Sequence, residues 1–215
     1  MIQIHKNNPP KKFQQFKQQN PNSHFDDMPS EVKAELRHSL LEEQGYLCAY
    51  CMRRIHDGNT KIEHYEPRNA QNEMDYSNLL AVCDGTSRGN LPQHQHCDTK
   101  KANKYLRINP QNADHMKCIS YRTDGTIYAK DNEDFNNDLS STLNLNDEYG
   151  YLKSNRKSAL DKLKKRFCQE CGDKSASHKF IEKSLEFYLD NDENNQRQEY
   201  CGILIDYLMK RLRQL

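Results

Sequence analysis

The chain has 215 residues, of which 34% are hydrophobic, and its formal net charge at pH 7 is +1. This length suits one domain or one domain with a helical annex, and a mean hydropathy of −1.12 predicts a modest core under a very polar surface. The balanced charge excludes a globally basic nucleic-acid-binding protein but leaves room for local basic patches. We see neither an apolar run long enough for a transmembrane helix nor a signal-peptide core, so we expect a cytoplasmic protein.

The first 45 residues predict a polar segment followed by a helix. Residues 1–29 are rich in Asn, Pro, Lys and Gln and predict an extended arm with little core. A helix is predicted to begin at Ser30, a good N-cap residue that follows Pro29, and it carries an apolar residue every four positions. Gly45 lies where a left-handed C-cap belongs.

Two short strands and a short helix are predicted next. The first strand carries Glu63–His64, and Pro67 with the polar run behind it predicts a bend. The second strand is the apolar run 79–82, which ends at Cys83. A Gly- and Gln-rich loop over 84–96 then leads into the short helix.

The remaining chain predicts a hairpin and a helical region. Residues 118–130 carry an Asp124–Gly125 turn between β-forming residues, which is typical of a hairpin. The polar, Asn-rich residues 131–150 predict a loop. Three helical segments are predicted at roughly 153–167, 176–190 and 196–213.

Two features of this helical region invite a functional interpretation. Residues 153–166 contain seven Lys and Arg residues and one Asp, so they could bind nucleic acid or an acidic partner surface, or simply form a charged helix face. The last helix carries an apolar stripe that predicts either core or a partner interface. The stripe consists of Ile203, Leu204, Tyr207, Leu208 and Leu212.

Eight cysteines in a chain of this kind are expected to be thiols or thiolate ligands rather than a disulfide framework. Cys48-x2-Cys51 on a tight turn can supply two of the four ligands of a tetrahedral structural zinc. Cys83 and Cys97 are the natural second pair if the loop between them brings them together. For the fourth position His94 and His96 stay open as alternatives, and Cys97 ranks first because its thiolate matches the other three.

A second Cys-x2-Cys pair lies near the end of the first C-terminal helix. Cys168 and Cys171 could be a redox pair or a zinc half-site completed by His178 and Cys201. The βαβ context of a redox fold is missing, so we interpret them as ordinary cysteines at a helix end.

Three separated stretches within residues 46–107 together resemble the HNH endonuclease family. They are Glu63–His64, Asn78–Leu79 and Cys97-Asp98-x-x-Lys101, in the family's order. Judged by CAYC, EHYEP, DYSNLL and HCDTKK, the subgroup resembled most is the PtuB type, the nuclease of Septu anti-phage systems and of some retron systems. The chain departs from many members in having Asp98 where they have His, and in having Cys83 and Cys97 far apart where they have a tight second CxxC.

The resemblance implies an α+β fold. Its core would be a zinc-stabilised ββα-metal finger, also called a His-Me finger, joined by a small β-hairpin and a C-terminal helical region. The resemblance divides the chain into four parts. They are an extended N-terminal arm over 1–29, the nuclease domain over 30–130 with the zinc knuckle at Cys48-x2-Cys51 and the hairpin, a polar loop over 131–150 and a helical region over 151–215.

The resemblance also implies roles for individual residues in phosphodiester hydrolysis. His64 would be the general base, and Glu63 and Asp98 would hold one catalytic divalent ion, for which oxygen ligands suit Mg²⁺ or Mn²⁺. Asn78 would either orient the His64 loop or complete the shell of the ion. Lys100, Lys101 and Lys104 on the short helix could contact substrate phosphates, or could form a solvated helix face.

Two functions compete on this evidence. The first is an endonuclease of anti-phage defence that works with a PtuA-like ATPase and, in some systems, with a retron reverse transcriptase and its DNA–RNA product. The second is a zinc-stabilised nucleic-acid-binding or interaction subunit that does not cut. Intact His64, Asn78 and Asp98 favour the first. The C-terminal helices are predicted to dock the ATPase, unless they cover the back of the finger as part of one core.

Overall fold

The computed structural model describes residues 1–86, 91–171 and 174–215, without the side chains of 174–176. Part of the loop predicted over 84–96, residues 87–90, lies outside this description. The helices are α1 Lys11–Gln19, α2 Ser30–Glu43, α3 Cys97–Lys101, α4 Ala113–Cys118, α5 Glu133–Asn137, α6 Tyr151–Glu170, α7 Lys174–Leu189 and α8 Cys201–Leu212. The strands are β1 Thr60–His64, β2 Leu79–Cys83, β3 Ile119–Tyr121 and β4 Ile127–Ala129. Within the described residues every helix is too short or too polar to span a bilayer.

The strand pair β1–β2 lies at the centre of the molecule. Its antiparallel register places Glu63 opposite Leu80 and His64 opposite Leu79. Every residue of β2 is buried, since α2 and α3 both pack against this strand. The uninterrupted apolar run of β2 is the pattern that such a covered strand requires. Glu63 and His64 therefore lie at the end of β1, and the strand that pairs with β1 is held in place by α2 and α3.

The turn before β1 closes a knuckle around the first cysteine pair. Gly45 has φ +58°, which confirms the left-handed position predicted at the end of α2. The backbone amide of Cys48 donates to the carbonyl of Arg53 (2.9 Å), and that of Met52 donates to the carbonyl of Cys48 (3.0 Å). These bonds fold Cys48 and Cys51 onto the same side of the turn.

The N-terminal segment differs from the extended arm that the sequence predicts, because it contains α1. Phe13 of α1 is fully buried, and its ring lies 6.2 Å from that of Tyr76. The amide of Ile4 donates to the carbonyl of Pro110 (2.9 Å). A few apolar side chains fix this segment against α2, although its composition is polar.

Residues 131–150 also contain more structure than the predicted loop. Here α5 continues into a π-helical turn over Asp138–Thr142, with Asn132 capping the start of α5 through the amide of Phe135 (2.9 Å). Asp138 is buried and accepts from the amides of Arg107 and Ile108 (2.5 and 2.9 Å). Polar side chains in this segment accept hydrogen bonds from backbone amides. The high content of polar residues was therefore a poor guide to solvent exposure, and the predicted loop is partly helical.

The three predicted C-terminal helices are present as α6, α7 and α8. Within the apolar stripe of α8, Ile203, Leu204 and Leu208 are buried in the same core cluster as the knuckle. The amide of Tyr200 donates to the carbonyl of Met52 (3.0 Å), which joins the start of α8 to the knuckle. These contacts pack the start of α8 on the knuckle, and docking of a partner by the C-terminal helices stays a prediction.

The basic run predicted over 153–166 is divided between surface and core. Arg156 is 3% exposed and has an internal structural role. Its Nε donates to the carbonyl of Gly125 (2.6 Å) and its guanidinium also donates to that of Leu145 (2.7 Å). Arg156 therefore links α6 to the β3–β4 turn and to the loop before α6.

Arg156→Leu tests this internal role. We expect the free energy of unfolding to fall by about 2–4 kcal/mol, because two buried carbonyls lose their donor. Urea unfolding measures the change. Lys157→Leu, at an exposed neighbouring position, is the control and should change stability by less than about 0.5 kcal/mol. Equal effects of the two substitutions would contradict the assignment.

Candidate active site and metal centre

The four predicted zinc ligands meet in one buried cluster. The Sγ atoms of Cys48, Cys51, Cys83 and Cys97 all lie within 4.8 Å of one another. The distance is 3.8 Å from Cys48 to Cys97 and 3.8 Å from Cys51 to Cys83. A tetrahedral zinc with bonds of about 2.3 Å has sulfur–sulfur edges of about 3.8 Å, whereas a disulfide requires about 2 Å. The arrangement fits a structural zinc.

Cys97 rather than either histidine completes this set. His96 lies beside the cluster, with Nδ1 3.1 Å from the Cys97 Sγ and 3.9 Å from the Cys83 Sγ, where it can support a thiolate by hydrogen bonding. His94 faces Asp147 instead, with Nδ1 2.6 Å from the carboxylate. Of the three candidates for the fourth ligand, Cys97 lies within the cluster, His96 lies beside it and His94 faces another residue.

The second Cys-x2-Cys pair does not form a comparable group. In the part of the chain that the structure describes, the four clustered cysteines are the only set of three or more potential ligands this close together. Cys168 is exposed on α6, while Cys201 is buried at the start of α8. This geometry gives no support to a zinc half-site of Cys168 and Cys171 with His178 and Cys201.

Glu63 points from β1 toward the knuckle and α3. Its Oε1 lies 2.7 Å from Lys101 Nζ, and the hydroxyl of Tyr50 donates to the same oxygen (3.3 Å). All three side chains are buried. Tyr50 lies between the two cysteines of the knuckle, and Lys101 lies four residues after Cys97. Both partners of Glu63 are thus carried by segments that the cysteine cluster fixes.

Asp98 faces Glu63 from the first turn of α3. Burial, together with a hydrogen bond to the Asp98 carboxyl, raises the pKa of Glu63 to about 8, against the opposing effect of Lys101. Asp98 also pairs with Lys61 across the more exposed side (3.2 Å). Two adjoining carboxyl groups of this kind are a donor set that a divalent cation stabilises.

His64 points away from Glu63 and is half-buried. Its Nε2 lies 3.0 Å from the carbonyl oxygen of Glu73. A carbonyl only accepts hydrogen bonds, so we assign the proton to Nε2, which leaves Nδ1 as the basic nitrogen. Burial lowers the pKa of His64 below its usual value, which favours the neutral ring. This is the protonation state that a general base needs.

Asn78 fastens the loop that follows His64. Its Oδ1 accepts from the amide of Glu66 (2.7 Å), and its Nδ2 donates to the carbonyls of Glu66 (3.3 Å) and Asn72 (3.4 Å). Asn78 is buried immediately before β2. Of the two roles considered for this amide, the contacts favour orientation of the loop.

The three lysines considered for phosphate binding occupy different environments. Lys104 is exposed and Lys100 is half-buried, so both can reach a ligand. Lys101 is 1% exposed, and its ammonium group also donates to the carbonyl of His64 (3.0 Å). Its contacts are internal and join Glu63 to the backbone of His64. A phosphate-binding role for these lysines stays a prediction.

Three residues that the sequence did not single out belong to this region. Tyr50 could have been found from its place inside the knuckle, next to two predicted ligands. Phe25 packs against His64, and Glu73 accepts its hydrogen bond. These two lie 39 residues before and nine residues after His64 in the sequence, and neither belongs to a recognisable motif.

Comparison with known proteins gives two similar sequences. The first is a retron Ec83 protein of Escherichia coli, 34% identical over 104 aligned positions that cover 40% of this chain and 40% of that protein. The second is a retron Vc95 protein of Vibrio cholerae serotype O1 biovar El Tor, 31% identical over 101 positions that cover 45% of this chain and 47% of that protein. Both names assign the proteins provisionally as HNH endonucleases.

These similarities have a limited extent. The chain spans under half the length of each relative. No protein-family model matches the chain. The names of both relatives are those of HNH endonucleases, and the mixed helix-and-sheet structure of this chain with its four-cysteine cluster fits a zinc-binding fold of that kind.

The cysteine cluster predicts one tightly held zinc per chain. Met52 and Cys97 have positive φ angles (62° and 53°), and a bound metal would help to offset such backbone strain. We therefore expect Cys48→Ser to lower the yield of folded protein, whereas Cys168→Ser at an exposed position should not. Metal analysis of protein purified without chelator, together with circular dichroism of both variants, checks this. Folded wild-type protein without zinc would contradict the assignment.

Proposed function

We propose that this chain is a metal-dependent HNH endonuclease that hydrolyses phosphodiester bonds in nucleic acid. The observation that carries the proposal is the arrangement at the end of β1, where Glu63 meets Asp98 while the adjacent His64 keeps a basic Nδ1. The names of the two relatives support the same reaction class. We further propose that β1, β2 and α3 form the ββα-metal core of this family.

His64 is the general base of the proposed reaction. Its Nδ1 would take a proton from the attacking water, while the hydrogen bond from Nε2 to the Glu73 carbonyl holds the ring and stabilises the imidazolium that forms. Lowering of its pKa by burial keeps the ring available as a base at neutral pH. Asn78 contributes by holding the loop that carries the Glu73 carbonyl.

Glu63 and Asp98 would hold the catalytic divalent ion. Two carboxyl groups match the oxygen ligands that Mg²⁺ and Mn²⁺ prefer, and a cation relieves the repulsion between two ionised carboxylates. When bound, such an ion supplies charge stabilisation for the phosphate oxygens. Lys101 and Tyr50 keep Glu63 in place, since both contact its Oε1 (2.7 and 3.3 Å).

The cellular setting belongs to the same proposal. We propose a PtuB-type effector of anti-phage defence that acts in the cytoplasm with a PtuA-like ATPase and, in a retron system, with the reverse transcriptase and its DNA–RNA product. The retron names of both relatives support this setting. Since an unrestrained nuclease would harm its host, we expect the partner to control cleavage. Much of the α8 stripe is buried, so a partner would dock on another surface.

His64→Ala is the direct test. We expect cleavage to fall by about 10²–10⁴-fold, because the proton acceptor is lost at the chemical step, while the fold and nucleic-acid binding stay intact. Plasmid and RNA substrates are incubated with Mg²⁺ or Mn²⁺, with and without the ATPase, and products are resolved by gel electrophoresis. His38→Ala, on the exposed part of α2, is the matched control.

The outcomes separate the two candidate functions. Near-wild-type cleavage by His64→Ala would show that the base is another residue. A wild-type protein that binds nucleic acid under every condition but never cuts would favour the zinc-stabilised binding subunit. The DNA and RNA arms of the assay also identify the substrate.

Asp98→Ala tests the ion-binding pair. We expect poor rescue of cleavage by excess Mg²⁺, because the substitution removes one of the two proposed carboxylate ligands. The measurement is the cleavage rate across a Mg²⁺ titration, compared with that of Asp161→Ala, a surface carboxylate on α6. Full recovery at high Mg²⁺ would mean that Asp98 does not bind the ion directly.

A further inference from the structure

The N-terminal segment reaches the proposed general base through one aromatic side chain. Phe25 begins a short 3-10 turn over Phe25–Asp27, between α1 and α2. Its ring centroid lies 4.7 Å from that of His64, with the planes at 76°. This edge-to-face arrangement is the favoured contact between two rings. A segment far from the HNH motif in sequence thus forms one wall around His64.

Glu73 joins the same turn to the other side of the imidazole. Its carbonyl oxygen faces His64 Nε2 (3.0 Å), while its carboxylate accepts from the backbone amide of Phe25 (3.2 Å) and lies 2.6 Å from His24 Nδ1. Glu73 is 5% exposed. Glu73 therefore provides the hydrogen-bond acceptor for His64 and also holds the backbone that carries Phe25.

An outer ion-pair network closes this arrangement. Arg68 makes two hydrogen bonds to the Asp26 carboxylate (3.1 and 2.6 Å), and its Nε lies 3.5 Å from Glu73. Two parallel bonds between a guanidinium and a carboxylate restrict geometry as well as supply attraction. The turn carrying Phe25 is thus tied to the loop after β1 at three points: the amide of Phe25, His24 and Asp26.

We propose that Phe25 is a positioning residue for His64, placed there by the N-terminal segment through Glu73. This inference rests on the proposed endonuclease function. The hydrogen bond at Nε2 alone only loosely restricts rotation of the ring about its Cβ–Cγ bond, and such rotation would move Nδ1 away from the attacking water. The Phe25 ring blocks this rotation from one side. Phe25 itself does not take part in proton transfer.

The consequence for catalysis is a loss at the chemical step. Misplacing a reacting group by about 1 Å can cost about 10²-fold, so we expect Phe25→Ala to lower kcat about 10- to 100-fold with KM little changed. Phe25→Tyr keeps the aromatic edge and should restore most of the rate. Phe25→Leu keeps bulk without the aromatic edge and should fall between the two.

The test pairs kinetics with NMR of the imidazole. In wild type we expect a slowly exchanging His64 Nε2 proton and a nuclear Overhauser effect between the two rings. Phe25→Ala should lose protection of that proton, while Phe16→Ala, which removes a half-buried phenyl group from α1, should retain it. The NMR measurement needs no cleavage activity, so it tests the positioning role even if wild type does not cut.

Each result decides for or against the proposal. The proposal is supported if the His64 Nε2 proton loses its protection from exchange in Phe25→Ala, regains it in Phe25→Tyr and keeps it in Phe16→Ala. Unchanged protection and kcat in a folded Phe25→Ala would overturn it. Should Phe25→Ala fail to fold, the more conservative Phe25→Leu decides, because wild-type protection and kcat in that folded variant would equally overturn it. A wild type that stays inactive with the ATPase present, yet shows the expected NMR pattern, would refute the endonuclease proposal and leave the contact established.

Discussion

The packing of four buried thiol groups at sulfur–sulfur distances suited to one metal is the constraint on which the proposed active site depends. Cys83 ends β2, and Cys97 begins α3, so the cluster fixes the strand that pairs with β1 and the helix that faces it. The knuckle between Cys48 and Cys51 carries Tyr50 to Glu63. Metal coordination at this cluster would give a chain with few apolar residues the rigidity that larger domains gain from a hydrophobic core.

This rigidity permits electrostatics that would be unfavourable elsewhere. Glu63 and Lys101 lie 2.7 Å apart in the interior, where the desolvation cost of ionising the carboxyl group offsets much of its attraction to the ammonium group. Burial first, and then the hydrogen bond to the neighbouring Asp98 carboxyl group, raise the pKa of Glu63, which is a second unfavourable element. Such arrangements persist when the surrounding structure determines them, and they occur at functional sites more often than in ordinary cores. The local destabilisation is therefore an argument for function at this end of β1.

The sequence predicted the short-range part of this architecture well. Both central strands, the short helix α3 and the four cysteines followed from apolar runs, from spacing and from the resemblance to HNH endonucleases. The sequence did not predict the helical structure within 131–150, because polar residues there bond backbone amides and composition does not distinguish such residues from solvated ones. It did not predict α1 either, because the buried Phe13 of that helix lies in a polar stretch. Contacts of Phe25 and Glu73 with His64 were also missed, since nothing in their spacing indicates proximity.

The C-terminal helices complete the molecule by supplying the apolar surface that the knuckle lacks. The guanidinium of Arg54 donates to the backbone carbonyl of Arg197, and the backbone amide of Arg54 donates to the carboxylate of Glu199. The segment before α8 therefore packs directly on the knuckle. Glu63 and His64, in contrast, face α3 and the N-terminal turn. Separation of a supporting face from the face that carries Glu63 and His64 would let one core serve both metal binding and the proposed chemistry.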